Sequence, residues 1–308
     1  MVSRQLKQTS KTNKSGSHWQ TFRAHHAIKN ILCPVELSCN YDYALSYAVT
    51  LASALNAKLM LCHCVSSFAC GSSGHLVRCL AELVQRHEHY RKDAELAWQC
   101  AIEQGEPAEV IVNEAYAIGA DLIVMNSRRR PIAAALLGST AEAVCSSAPC
   151  PILVVHPNEH EWINHSTGTI ELKQILVAYD FSINADLSLR YAIAFAKRYH
   201  AVIHLLHVFP VGLENLWVPP TEEKEEQTLA RLRMATPSQL QRAGLVCHEL
   251  REGEPASTIL SYACDYDIDL ICIGAHGKAK GWLELFGTNA DRVLREAPCP
   301  VLVARSSP

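Results

Sequence analysis

Short apolar runs alternate with longer stretches in which apolar positions recur at helical spacing, and the alternation is carried through twice along the chain. In the second half, Gln174 to Tyr179, Ala201 to Val208, Leu245 to Leu250, Asp269 to Gly274 and Pro300 to Ala304 predict strands. The stretches Asn184 to Arg198, Thr221 to Arg242, Pro255 to Asp265 and Gly287 to Glu296 predict the helices between them. The first half predicts strands over Asn30 to Val35, Lys58 to Val65, Trp98 to Ile102, Asp121 to Met125 and Pro151 to Val155. These runs are apolar almost throughout, as strands are when helices cover both faces of a parallel sheet. The pattern reads as βαβ units, hence an α/β fold with a doubly wound parallel sheet in each half.

The two halves also repeat in detail. Gly105-Glu106-Pro107-Ala108 returns as Gly253-Glu254-Pro255-Ala256, and Ala148-Pro149-Cys150-Pro151 returns as Ala297-Pro298-Cys299-Pro300. Pro107 and Pro255 each fall where a helix starts, a position at which a missing N–H costs nothing, so the first motif is a strand-to-helix turn. The repeat divides the chain into a basic, acid-free tail over 1–27, a first domain over 28–157, a polar linker over 158–171 and a second domain over 172–305. The tail is expected to be a disordered, solvated segment; a transit peptide is the competing reading, weakened by cations that are mostly Lys and by the lack of an amphipathic face.

Composition narrows the function without naming it. A net charge of −3 gives no global attraction to nucleic acid or to anionic lipid, so any anion site has to be built locally. No apolar run approaches the roughly 20 residues of a membrane span. The 13 cysteines lack regular spacing in a chain without a secretory signal, which points to a reduced, cytoplasmic protein. Cys62-His63-Cys64 resembles a metal cluster, but on a strand Cys62 and Cys64 share one face and His63 takes the other, so core packing is expected.

In an open parallel sheet, ligands bind beyond the carboxyl ends of the strands where the connections diverge. If the first and fourth strands of the second half are neighbours, Asp180 lies beside Gly274 to Gly277. Gly274-x-x-Gly277, a loop with Lys278, Lys280 and Gly281, and Gly287-Thr288-Asn289 opening a helix supply the parts of a phosphate site in order. Thr288 with Asp291 also has capping-box spacing, and Ser139 with Glu142 repeats it in the first half. Capping is therefore expected in both halves, and the glycine loop reads as an extra that structure does not require. In the first half Met125 and Arg128 are read as standing where Gly274 and Gly277 stand, and Glu36 where Asp180 does, so no such site is expected there. Arg128-Arg129-Arg130 reads as a solvated loop run, with a separate anion site as the alternative.

Gly274-x-x-Gly277 followed after nine residues by Gly287-Thr288 resembles the nucleotide-binding signature of the universal stress proteins, and Ile175 to Ser182 looks like their opening strand. The resemblance spans both halves. It implies two flavodoxin-like, Rossmann-type domains packed as an intramolecular pseudo-dimer, with Ile152 to Val155 pairing with Val301 to Ala304. It also implies an ATP site with Asp180 near the adenosine, main-chain groups of Val208 at the adenine, and Gly274, Gly277, Gly287, Thr288 and Asn289 around the phosphates; His276 lies within that loop. His63 and His207 match between the halves and read as core or crevice-wall residues.

No triad, Cys-His pair or P-loop ending in Lys-Ser/Thr can be assembled from local motifs. The reading is thus a nucleotide-binding stress-response protein that binds without efficient turnover and acts on an unidentified protein partner, alone or as a further homodimer. Two alternatives stand beside it. One is a slow ATPase or phosphate-transferring enzyme using Asp180 as base or magnesium ligand; the other is a thiol-responsive scaffold built on the cysteines of the first half.

Overall fold

The structure is a computed structural model, describing residues 28–37, 43–65, 73–88, 96–127, 138–156, 160–164, 167–211, 219–276 and 287–305. The first half runs β1 (Asn30–Pro34), α1 (Tyr43–Leu55), β2 (Lys58–Val65), α2 (Ser73–Glu88), β3 (Trp98–Gln104), α3 (Pro107–Ile118), β4 (Leu122–Asn126), α4 (Ser139–Ser147) and β5 (Ile152–Val155). A short hairpin of β6 (Ile163–Asn164) and β7 (Thr169–Ile170) follows. The second half repeats the plan with β8 (Gln174–Ala178), α5 (Ile183–Tyr199), β9 (Val202–Pro210), α6 (Glu222–Ala235), α7 (Ser238–Arg242), β10 (Val246–Gly253), α8 (Pro255–Asp265), β11 (Leu270–Gly274), α9 (Thr288–Glu296) and β12 (Val301–Ala304).

Ten strands form one sheet in the order β10-β9-β8-β11-β12-β5-β4-β1-β2-β3. Pairing is parallel within each half and antiparallel at the centre, where Val301, Leu302 and Val303 face Val154, Leu153 and Ile152. The expected pairing of the last strands is therefore present, and each half covers the edge its twin would otherwise expose. Both faces of the sheet are largely buried along its inner strands, whereas no residue of the edge strands β3 and β10 is fully buried. One apolar cluster packs α1 and α5 on the sheet and spans both halves, and the other packs α3, α4, α8 and α9. Two side chains tie α5 across the seam: Tyr191 Oη donates to the Asp121 carbonyl at 3.3 Å and Arg198 to that of Ala54 at 3.0 Å.

The segment between the halves is anchored. Trp162 is fully buried with its ring edge-on to Tyr47 at 4.8 Å, and Ile163 is buried beside it. His160 bonds Asp269 at 2.7 Å through Nε2 and the Pro298 carbonyl at 2.9 Å through its backbone N–H. Asp269 also accepts from the backbone N–H groups of Lys173 and Gln174, both at 2.7 Å. Asp121 does the same for Lys29 and Asn30 in the first half, at 2.8 and 3.0 Å. These paired staples fix where each first strand enters its sheet.

One predicted helix is two. The Thr221 to Arg242 stretch breaks at Thr236, which is extended at φ −114° and ψ 143°, because Pro237 lacks an N–H and bars its predecessor from the helical region. The recurring Gly-Glu-Pro-Ala turn is as expected, with Pro107 and Pro255 in the first helical turn. Gly105 and Gly253 adopt φ +154° and +148°, which side-chain-bearing residues rarely adopt. The two turns differ in one respect: Glu254 caps α8 by accepting from Ala256 and Ser257, whereas Glu106 makes no cap bond to α3.

Candidate functional site

The C-terminal ends of β8 and β11 lie side by side, since Leu270, Ile271 and Cys272 pair with Ile175, Leu176 and Val177. Their connections leave toward opposite faces, α5 to one and α9 to the other, so a crevice opens between them. The chain turns out of β8 through Tyr179, whose N–H donates to the Leu206 carbonyl at 2.8 Å and whose carbonyl meets His207 Nδ1 at 2.7 Å. A carbonyl only accepts, so Nδ1 carries the proton. Asp180 follows, its Oδ1 accepting from the Ser182 N–H at 2.9 Å, and Ser182 in turn caps α5 by accepting from Ala185 at 3.1 Å. His63 Nδ1 meets the Val35 carbonyl at 2.8 Å in the same way. This match makes Glu36 the counterpart of Asp180 and both histidines crevice-wall residues.

On the other side of the crevice, the Asn184 amide donates to the His276 carbonyl at 3.1 Å, and the Gly287 N–H donates to the Ala275 carbonyl at 3.0 Å. Asp180, Val208, Gly274, His276, Gly287, Thr288 and Asn289 are thus carried by segments that meet at one end of the sheet. Gly277, Lys278, Lys280, Gly281 and Arg128 to Arg130 lie outside the described residues.

Three expectations change. First, α9 and α4 are capped by Gly287 and Gly138 without a side-chain bond, and Thr288 and Ser139 stand one position later, inside the helix. The capping box is absent because the glycine takes the capping position. Second, Gly274 is a packing glycine: a Cβ there would sit 2.8 Å from Asn184 Cβ and 3.1 Å from the Ala185 nitrogen. Its missing side chain admits the first turn of α5, so structure does require it. Third, the counterpart of Gly274 is Asn126 and not Met125. Gly274 pairs with Ala304 as Asn126 pairs with Val155, and the first half is one residue shorter between this strand and Gly138. The Asn126 side chain fills the equivalent space and accepts from the Ala44 N–H at 2.8 Å.

The amide donors near the crevice divide accordingly. Those of Ala275 and Gly287 are spent on the Ala304 and Ala275 carbonyls, at 2.8 and 3.0 Å. The first-turn N–H groups of α9, at Thr288 and Asn289, have no intrahelical acceptor and no side-chain cap, and they carry the positive end of the helix dipole.

Sequence reasoning missed an aromatic column beside Asp180. Phe181, held at φ +64°, lies 5.0 Å from both Tyr179 and His207, and His207 lies 5.1 Å from Phe209. From α6, the Arg231 guanidinium lies 3.8 Å from the Phe181 ring centroid and Lys224 lies 5.5 Å from that of Phe209. Burial and a hydrogen bond to Asp186 push the Tyr179 hydroxyl above its usual range, which keeps it a donor. The signal was in the repeat, since the first half has Val35, Leu37 and Val65 where the second has Tyr179, Phe181 and Phe209.

Comparison with known proteins gives one answer for both halves. The model of the universal stress protein family matches residues 27–156 and 171–305. A universal stress protein of Thermus aquaticus is 31% identical over 135 residues, covering 43% of this chain and 98% of its own. One from Mycolicibacterium smegmatis is 24% identical over 293 residues, covering 89% and 96%. Among solved structures, a universal stress protein from Archaeoglobus fulgidus superposes with TM-score 0.66 at 20% identity, over 92% of this chain and 98% of that one, a likeness of fold.

Proposed function

The chain belongs to the universal stress protein family, once in each half, and from that premise we propose that its second half binds an adenine nucleotide, ATP in the first instance, while its first half does not. The observation that carries the reading is the convergence of Asp180, the Gly274–His276 segment and the uncapped start of α9 on one crevice at the point where the strand connections diverge. The residues fit the ligand. Thr288 and Asn289 offer N–H groups at a helix N-terminus, where a phosphate is favoured by both hydrogen bonding and dipole. Asp180 offers a carboxylate to a ribose hydroxyl, and main-chain groups around Val208 read the adenine edge. The triphosphate supplies the negative charge, with magnesium as its companion ion, and the protein supplies position.

Binding without efficient turnover is the form of the proposal. Asp180 Oδ1 already accepts from the Ser182 N–H at 2.9 Å, so that oxygen is committed to holding the turn into α5 and not to a water poised for attack. The protein is then a nucleotide-responsive component of a stress response in the cytoplasm, whose occupancy biases a surface read by a partner. Denaturing freshly purified protein and weighing the small molecules released tests this directly: adenine nucleotide near one equivalent per chain is expected. Its absence, together with no heat on titration with ATP, rejects the reading.

A further inference from the structure

The sheet ends at β10 with one side open. In a parallel ladder a strand turns the backbone groups of successive residues alternately to one side and the other. The carbonyls of Leu245 and Gly253 accept from Ile203 and Val211 on the β9 side, at 2.9 and 3.2 Å, so the odd-numbered residues of this stretch face β9. Val246, His248, Leu250 and Glu252 therefore turn their N–H and C=O groups outward, and among the described residues no strand pairs with β10 on that side. Between β10 and α8 runs a groove of about 580 Å³ whose lining includes Arg251, Ser261, Tyr262, Asp265 and Tyr266.

We propose that this edge docks a second copy of the chain, which adds its own β10 antiparallel about a two-fold axis at Leu250. Such a pair sets outward-facing residues opposite outward-facing ones, so its centre falls on a residue and not between two. Centred on Glu249 or on Arg251, the strands would set that residue against its own copy, and like charges directly opposite destabilise a pair. Centred on Leu250, they set Glu249 against Arg251 and Arg251 against Glu249, at the non-hydrogen-bonded positions where side chains approach closest. His248 then meets Glu252, Leu250 meets Leu250, and each of these pairs exchanges two N–H···O bonds. The edge is complementary to itself, which is what an isologous contact requires.

Arg251 is the residue that changes partner. In the single chain its guanidinium pairs with Glu249 at 2.9 Å and donates to the outward Leu250 carbonyl at 2.9 Å, covering the centre of the edge. In the pair, the Leu250 carbonyl accepts from the Leu250 N–H of the second copy, and Arg251 turns to the Glu249 of that copy. Ion pairs are conserved on association, so the gain comes from the backbone bonds and from covering the groove. There Tyr266, 43% exposed and stacked on Tyr262 at 4.2 Å, offers apolar area. The other edge strand lacks the pattern: Glu103 stands in β3 where Arg251 stands in β10, and it is the only charge on its strand.

The test is sedimentation of the full-length protein over a range of concentrations, under reducing conditions because Cys247 and Cys264 are exposed. The native chain is expected to pass from monomer to dimer as concentration rises. Arg251→Glu sets carboxylates opposite one another at both positions and is expected to weaken the dimer roughly ten- to a hundredfold. Adding Glu249→Arg to that variant is expected to restore association, since the charges are opposite again in exchanged places, and the rescue separates loss of docking from loss of folding. In the native chain, hydrogen exchange at the N–H groups of His248, Leu250 and Glu252 is expected to slow with concentration, a readout that needs no variant. The N–H groups of Cys100 and Ile102, which face outward on β3, are expected not to respond. A chain that stays monomeric throughout, a dimer indifferent to Arg251→Glu, a double exchange that fails to associate, or protection on β3 in place of β10 would each overturn the proposal.

Discussion

At the scale of single residues, the two halves differ most sharply at Gly274 and Asn126. A Cβ at Gly274 has no room, because Asn184 and Ala185 are backbone and near-backbone neighbours that cannot swing aside. Gly274→Ala is therefore expected to destabilise the protein by about 1–3 kcal/mol, the range for overpacking. Denaturant unfolding checks it, and a change below a few tenths of a kcal/mol would show that α5 moves freely. This role was hidden in the sequence because a packing glycine and a ligand-cradling glycine are written with the same letter. The one-residue difference in loop length also concealed which residue of the first half to compare. Asp180 and its neighbourhood were legible, by contrast, because strand periodicity fixes where a run ends. A second residue prediction concerns pH. His204 is buried and bonded to Tyr262 Oη at 2.8 Å and Gln174 Oε1 at 2.9 Å, and burial lowers its pKa in the folded state. The unfolded chain then binds the proton first as pH falls below about 6.5, so stability is full above that pH and declines through the window down to the folded pKa. In His204→Gln the slope of stability between pH 6.5 and 5 is expected to flatten; an unaltered slope would assign the acid sensitivity elsewhere.

At the scale of elements, the ten strands of the large sheet follow from patterning, whereas the β6–β7 hairpin and the helix starts do not. The apolar runs sit on the observed strands to within two or three residues, because burial on both faces leaves the inner strands no choice but near-continuous apolar character; the edge strands β3 and β10, only half-buried, mix in polar residues. Helix starts depend on one backbone rotation, and a Ser or Thr preceded by glycine can sit on either side of the boundary. The caps make this measurable. Thr221 accepts from the Lys224 N–H at 3.3 Å and starts α6, so Thr221→Ala is expected to cost about 1 kcal/mol. Ser139→Ala and Thr288→Ala, one position inside their helices, remove no cap bond and are expected to cost less than about 0.5 kcal/mol. Thr288→Ala keeps the main-chain N–H that the proposed site uses, so ATP binding is expected to be retained and the melting temperature to stay within a degree or two of the parent. Equal losses of stability in Thr221→Ala and Thr288→Ala would restore the capping-box reading and remove the uncapped helix start from the site.

At the scale of the whole molecule, the seam decides whether a ligand in one half is felt by the other. The sheet is continuous through β12 and β5, and one apolar cluster crosses that boundary from α1 to α5, so neither half has a complete core of its own. Trp162 is the piece the halves share: it belongs to the connecting segment, is fully buried and packs edge-on to Tyr47 of α1. The linker was read as a polar tether because three apolar residues in a polar stretch leave no periodic signal, yet a single large ring in a closed pocket outweighs many solvated neighbours. Truncating such a ring costs about 3–5 kcal/mol. A chain whose halves share a core unfolds as a unit when the coupling exceeds the difference between their separate stabilities. The native protein is accordingly expected to unfold in one transition, with circular dichroism and the protection of Cys150, buried in the first half, from thiol labelling lost at the same denaturant concentration. In Trp162→Ala the two signals are expected to separate, the half bearing the intact crevice outlasting its twin when ATP is present, because ligand binding stabilises only the half that holds it. Coincident transitions in that variant, with ATP raising both together, would mean that β5 and β12 alone couple the halves and that the buried tryptophan does not.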